Sequence, residues 1–317
     1  MAIMQTARVA QINTPCDDVR LLTLDLGQRV AYEPGSHLDF HFDIDGAPAQ
    51  RSYSLIGNPD GSTLVRIAVR RVPDSRGGSA HMWQLAVGAE LGCTSPKNGF
   101  PLSRRSVPRI LVAGGIGITP IIGMAERLMA DGLAFQMVYA GRSSDSMPFV
   151  RELRERLGDK LHLFDASRGE VIDFANVLSE LAVDGEMYVC GPIGMLNTAR
   201  QAWAAGGRRP VDLHFETFAA GGSYPNRRFR VSVPRLGLDL EVGADATILE
   251  TLEAAGVDPL FNCRKGECGL CLATVEDQTG LLDHRDVFLS EHQKAENKQL
   301  CICVSRLSEG TLVLNLP

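Results

Sequence analysis

The stretch FNCRKGECGLC, residues 261–271, read together with QLCICVSR at residues 299–306, decides how this 317-residue chain is organised. Cys263, Cys268 and Cys271 follow a C-x4-C-x2-C spacing, and Cys301 comes after a gap of 29 residues. That is the spacing of plant-type [2Fe–2S] ferredoxins. Iron prefers thiolate, and four thiolates complete two tetrahedral irons bridged by sulfide. Gly266 and Gly269 allow positive φ and let backbone N–H groups approach the sulfurs. A zinc site usually pairs C-x2-C with a second such pair or with His, whereas here the long gap ends in QLCICVSR with no second knuckle. Cys303 competes with Cys301 for the fourth position. On an alternating strand the two share a face, so spacing leaves the choice open. Cys16 and Cys93 read as packed or surface thiols.

Working outward, the cysteine-rich segment ends a chain of three patterns. Residues 1–103 carry short alternating runs such as VRLLTLDL, HLDFHFDI and LVRIAVRRV, which predict an antiparallel β-barrel. Residues 104–218 alternate strand and helix: RILVAGG, FQMVYAG, PFVRELRERLG, KLHLFDA, VLSELA, EMYVCG and MLNTARQAWAAGG. These predict a parallel-sheet α/β domain with both faces of the sheet covered. Residues 219–228 read as a linker, and residues 229–317 return to mixed β and α. The opening residues lack a secretory pattern. The longest apolar stretch, residues 110–125, is too short and too Gly-rich to span a membrane. A cytoplasmic location with reduced thiols is expected.

Net charge is −6. From Phe229 onward there are 14 acidic and 8 basic residues, and the rest of the chain carries 24 of each. The imbalance therefore lies wholly in the cysteine-rich part. It argues against a nucleic-acid partner and suits docking onto a basic protein surface. A solvated acidic face is the plainer reading. The seven histidines form no H-E-x-x-H pattern.

Two further motifs carry chemistry. Arg51, Ser52, Tyr53, Ser54 and Leu55 end a strand, and Arg76, Gly77, Gly78 and Ser79 follow about 25 residues later. Tyr53 offers a ring and Ser54 a hydrogen bond for a flavin. Arg51 and the Gly77–Ser79 turn offer charge and N–H groups for its phosphate. Arg70 is a further lining candidate. LVAGGIGITP, with Gly114, Gly115, Gly117, Thr119 and Pro120, is strand, glycine turn and helix start, which aims N–H groups at a pyrophosphate. Cys190, Gly191 and Pro192 end a later strand. Asp165, ending KLHLFD, is placed to accept ribose hydroxyls and repel a 2′-phosphate, which favours NADH. Arg142 and Asp145 pull in opposite directions.

The whole chain resembles the phthalate dioxygenase reductase family, which orders its domains flavin, nicotinamide, ferredoxin. The resemblance implies a C-terminal β-grasp [2Fe–2S] domain and FMN as the flavin. It implies the first cysteine of CICVSR, Cys301, as fourth ligand. It places Ser54, Cys190 and Phe218 at the reacting atoms, with Phe218 where nicotinamide must slide in. It implies an NADH-dependent flavin iron–sulfur oxidoreductase, expected as a monomer, that serves the oxygenase component of a Rieske non-haem iron system. Ser52 and the Arg142–Asp145 loop depart locally from the family pattern. A cytochrome P450 or other redox protein is the alternative acceptor. A ferredoxin-like binding module with a vestigial flavin domain is the rival from another class.

Overall fold

The first sheet is built from strands whose residues alternate between core and surface, as the sequence patterning predicts. The computed structural model describes residues 4–44, 46–72, 77–218, 222 and 224–316. Strands β1 (Met4–Cys16), β2 (Val19–Asp25), β3 (Ser36–Ile44), β4 (Ala47–Ser54), β5 (Leu64–Arg70), β6 (Glu90–Thr94) and β7 (Lys97–Asn98) form an antiparallel sheet in the order β4-β3-β6-β1-β2-β5, with β7 on β3. Beyond the end of β4, the Ile56 N–H donates to the Arg66 carbonyl at 2.9 Å, curling the sheet back on itself. A short helix α1 (Gly78–Gln84) follows β5 and has no counterpart in the sequence periodicity. The Trp83 indole N–H pins it by donating to the Val69 carbonyl at 3.1 Å.

The next five strands are parallel: β8 (Arg109–Gly114), β9 (Phe135–Gly141), β10 (Leu161–Asp165), β11 (Glu186–Cys190) and β12 (Leu213–Glu216), in the order β10-β9-β8-β11-β12. Every residue of β8 and β11 is buried, as strands covered on both faces require. The connecting helices are α2 (Ile118–Ala130), α3 (Val150–Leu157), α4 (Phe174–Ser179) and α5 (Ile193–Ala205). Strand order reverses between β8 and β11, the place where α/β sheets bind ligands at their strand C-termini. Both glycine turns predicted from sequence leave the sheet at those two ends.

These two layers form one unit, which ends at Glu216. The reason is a shared core. Val19, Ile56, Ala68 and Phe100 of the first sheet pack in the same apolar cluster as Leu111, Ala113, Ile118 and Ile121. A buried charge network fixes the connection between them. Arg109, with a fully buried side chain, donates to Glu186 at 3.1 Å and to the carbonyls of Ser103 and Val107. Arg105 reaches Glu186 at 3.0 Å and Asp212 at 2.6 Å.

The second unit runs from Thr217. Its strands β13 (Phe229–Val233), β14 (Leu238–Val242), β15 (Leu272–Gln278), β16 (Leu282–Asp283), β17 (Gln299–Cys301), β18 (Arg306–Leu307) and β19 (Thr311–Asn315) form a sheet ordered β14-β13-β19-β15-β17 and a separate β16-β18 pair. β13 and β19 are parallel and the other pairings antiparallel. Helix α6 (Ile248–Ala254) begins with a reciprocal Thr247–Glu250 capping box and buries Ile248, Leu249 and Leu252. Helix α7 (Glu291–Glu296) begins with the same device, from Ser290 and Gln293. The expected linker falls largely outside the described residues. Its described residues Tyr224 and Asn226 both accept hydrogen bonds from Arg285. Among the described residues no helix is long and apolar enough to cross a membrane.

Candidate functional site

The predicted flavin residues gather around the end of β4. Antiparallel register sets Phe40 opposite Arg51 and Leu38 opposite Tyr53. Tyr53 packs edge-on against Phe40, ring centroids 5.9 Å apart. Burial pushes its phenol up to about 12, so it stays neutral. Ser54 is buried. Arg51 lies across the start of α1: a Cβ on Gly78 would stand 2.5 Å from Arg51 Nε. Only glycine leaves room for that guanidinium beside the helix's first N–H groups, and a cradle of this kind fits a phosphate. Gly77 caps the helix with φ of +75°. Arg76 lies outside the described residues. Two predicted residues have other engagements. Ser52 alternates to the opposite strand face and donates to Asp39 at 2.5 Å. The Ser79 hydroxyl exchanges hydrogen bonds with the Val72 backbone, pinning α1 to the strand before it.

Arg70 has a larger role than lining. It ion-pairs with Asp18 at 2.8 Å, donates to the Ser146 carbonyl at 3.2 Å and lies over the glycine turn, where a Cβ on Gly115 would meet its Nη1 at 2.7 Å. One guanidinium thus joins the antiparallel sheet to the nicotinamide turn.

The two glycine turns pack directly on each other. A Cβ on Gly117 would stand 2.6 Å from the Cys190 carbonyl carbon, and one on Gly114 would stand 2.6 Å from Pro192 Cδ. A Cβ on Gly191 would stand 3.1 Å from the Gly114 nitrogen. Thr119 donates to the Ile116 carbonyl at 3.1 Å, and Pro120 occupies the first turn of α2, where its missing N–H costs no helical bond. Cys190 is 1% exposed and belongs to the shared apolar core. Phe218, 43% exposed, opens the second unit beside Thr217.

Asp165 does not stand open to a ribose. It is buried, and four donors saturate its carboxylate. One oxygen accepts from the Ser144 N–H at 2.8 Å and hydroxyl at 2.9 Å. The other accepts from the Ser167 N–H at 3.0 Å and hydroxyl at 2.5 Å. These bonds, those of Ser167 foremost, hold its carboxyl well below the usual carboxylate range. Arg168 lies 3.8 Å away. Sequence reasoning passed over Ser144 and Ser167. The signal was a serine within three residues of two adjacent strand ends, in GRSS and DASR.

The cysteine loop has the predicted backbone. Gly266 and Gly269 both have φ of +73°, and Arg264 joins them with φ of +53°. Main-chain N–H groups of Lys265 and Glu267 donate to Cys263 Sγ, each at 3.4 Å. The strand that carries Cys301 is shorter than the alternation assumed. β17 ends at Cys301, and the chain turns at once, with Val304 N–H and Ser305 N–H both donating to the Cys301 carbonyl. Cys301 and Cys303 therefore do not share a strand face. Cys301 contacts Cys271 and stays in the sheet, opposite Leu272. The turn brings the Cys303 thiol to both Cys263 and Cys271. The Cys303 thiol lowers Cys263, and the thiols of Cys301 and Cys303 lower Cys271, below the ordinary thiol value, while the two donating thiols are raised in turn. Glu267, inside the loop, accepts from the Thr217 N–H at 2.5 Å and hydroxyl at 2.7 Å, so it is not a free surface charge.

Comparison with known proteins agrees with this layout. Three protein-family models match in order: an oxidoreductase FAD-binding domain at residues 6–101, an oxidoreductase NAD-binding domain at 111–201, and a 2Fe-2S iron-sulfur cluster binding domain at 233–308. The chain is 38% identical over 290 residues to the heme-dependent oxidative N-demethylase beta subunit of Ectopseudomonas mendocina, covering 90% of this chain and 89% of that one. It is 36% identical to a vanillate O-demethylase oxidoreductase of Pseudomonas putida, with 92% of each covered. Among solved structures, phthalate dioxygenase reductase superposes with a TM-score of 0.80 at 30% identity, over 99% of this chain and 98% of that one.

Proposed function

The chain belongs to the phthalate dioxygenase reductase family, and from that premise we propose that it carries electrons from NADH through FMN and a [2Fe–2S] cluster to a Rieske-type terminal oxygenase. It is an oxidoreductase with flavin, NAD and 2Fe-2S domains. The observation that carries the reading is the seam in the first unit, where Arg70 from the flavin sheet lies on Gly115 of the nicotinamide turn. A hydride donor seated on that turn would face the residues at the end of β4.

When bound, nicotinamide supplies electrons in pairs, a flavin takes a pair and releases single electrons, and the cluster carries one at a time. The protein's part is placement. Arg51 and the first N–H groups of α1 hold the FMN phosphate, Tyr53 covers the ring, and Ser54 donates a hydrogen bond to it. Gly114, Gly115, Gly117, Thr119 and Pro120 would admit the pyrophosphate, while Cys190, Gly191 and Pro192 would set the nicotinamide depth. Cys263, Cys268, Cys271 and Cys303 hold the cluster. Cys303 replaces Cys301 because its thiol touches two loop cysteines and that of Cys301 touches one.

Domains bounded at residues 103, 218 and 228, a monomeric state and a cytoplasmic location, where NADH is abundant, complete the proposal. A haem-containing acceptor is the second reading, favoured by the name of the N-demethylase relative. The test is to purify the protein, identify the released flavin by mass, and record the cluster absorbance of Cys301→Ser and Cys303→Ser. Loss in Cys303→Ser with retention in Cys301→Ser is expected. The reverse pattern restores Cys301, and a protein that binds neither flavin nor iron overturns the reading. Reduced protein is then mixed with a Rieske oxygenase and with a haem protein to identify the acceptor.

A further inference from the structure

The strand order reverses between β8 and β11, and with a dinucleotide lying across that point its adenine-ribose end would reach the ends of β9 and β10. The carboxylate oxygens of Asp165 do not face solvent there; the exposed carboxylates at this end are those of Asp145, beside Ser144, and Glu170, which accepts from the Asp165 N–H at 2.8 Å. Asp165 is 6% exposed, whereas Ser144 is half-buried and Ser167 exposed above it. All four acceptor positions of Asp165 are filled, by the N–H and hydroxyl of each serine. A ribose hydroxyl approaching this end meets the serines first.

A carboxylate can only accept, so each serine hydroxyl must spend its single proton on Asp165. What each hydroxyl then offers outward is lone pairs alone. Lone pairs accept from the ribose 2′- and 3′-hydroxyls, which carry protons. They offer nothing to a 2′-phosphate, whose oxygens are acceptors too. Arg168 lies 3.8 Å from Asp165, so this cation, which would otherwise welcome a phosphate, is set against the charge beneath the serines.

We propose that Ser144 and Ser167 are the residues that select NADH over NADPH, and that Asp165 is a positioning residue which fixes the polarity of their hydroxyls without touching the ribose. This rests on the reading of the chain as a nicotinamide-dependent flavin reductase. Asp165 keeps a share of the selectivity by its charge, but the contact is made by the hydroxyls.

The test is the ratio of kcat/KM for flavin reduction by NADH to that by NADPH in wild type, Ser144→Ala/Ser167→Ala and Ser144→Thr/Ser167→Thr, all retaining Asp165. Flavin content and reduction by dithionite report folding independently of the nicotinamide site. In the alanine pair the NADH preference is expected to fall at least tenfold, chiefly through KM for NADH, since a tenfold change is about 1.4 kcal/mol and one hydrogen bond is worth about that much. The threonine pair keeps both hydroxyls and is expected to retain most of the preference. Asp165→Asn frees one serine to turn its proton outward, so NADPH is expected to improve relative to NADH. If the alanine pair keeps the wild-type preference, Asp165 binds ribose directly and the inference falls while the reductase reading stands. A wild-type preference for NADPH also overturns it. Flavin that neither nicotinamide reduces would overturn the reductase reading itself.

Discussion

Gly117→Ala tests the stacked glycine turns at one atom. A Cβ there would stand 2.6 Å from the Cys190 carbonyl carbon and 3.0 Å from the Gly191 nitrogen, where ordinary contact begins at 3.4 Å. Both neighbours are main chain, so no side chain can swing aside. The Cys190 carbonyl oxygen lies nearer still, so the turns must part by more than about 0.8 Å, the shortfall at the carbonyl carbon alone. Overpacking of this kind costs about 1–3 kcal/mol of stability. The functional cost is larger in proportion, because a displacement near 1 Å in a positioned reactant lowers a rate by about 10²-fold. Gly194→Ala is the matched control. It lies two residues beyond Pro192, at the start of α5, and a Cβ there meets nothing within 4 Å. That change is expected to stabilise by about 0.4–1 kcal/mol through the unfolded chain. The assay is anaerobic stopped-flow bleaching of the flavin over a range of NADH, with thermal unfolding run in parallel. Expected results are a roughly hundredfold slower limiting rate in Gly117→Ala with flavin content intact, and wild-type behaviour in Gly194→Ala. If Gly117→Ala reduces its flavin at the wild-type rate, the two turns do not set the position of the nicotinamide.

Glu186→Ala leaves the fully buried Arg109 side chain without its carboxylate. It is expected to cost about 3–5 kcal/mol in denaturant unfolding of the first unit, and a cost below about 1 kcal/mol would show the network to be dispensable. Stability is also expected to fall with acid. Burial alone would raise Asp39 and Asp286, but hydrogen bonds from Lys97 and Ser52 to the first, and His284 3.8 Å away together with the Leu289 N–H hydrogen bond on the second, outweigh it and hold both below the ordinary value. Their contribution is present above the unfolded carboxyl pKa, about 3.9, and is lost as pH falls toward their lowered folded values; a melting temperature flat from pH 5 to about pH 3 would contradict this. Salt is expected to slow oxygenase-coupled turnover while leaving NADH-dependent flavin reduction nearly unchanged, because exposed charges are screened beyond about 8 Å at physiological ionic strength. The effect should be moderate, since Glu253, Glu241, Asp239, Glu309 and Glu291 are already ion-paired; coupled turnover indifferent to salt while docking limits the rate would mark the acidic surface as solvation only.

The sequence by itself determined the parts and their order. Strict alternation marked the antiparallel strands, buried runs followed by glycine marked the parallel ones, and C-x4-C-x2-C marked the cluster loop, because each pattern is a local demand of backbone geometry or ligand chemistry. Gly266 and Gly269 were legible for the same reason: a loop wrapping sulfurs needs left-handed residues. Contacts between distant segments were not legible. Whether Cys301 or Cys303 turns toward Cys263 depends on where β17 ends, and that is set by its pairing with β15. Asp165 reads as a ribose ligand until two loops fold over it and fill its oxygens with Ser144 and Ser167. Arg70 reads as a lining residue until the antiparallel sheet packs on the α/β layer and lays its guanidinium on Gly115. Motif and period are written within a few residues of chain, whereas the partner of a side chain is decided by packing between segments far apart in sequence, and so by tertiary structure alone.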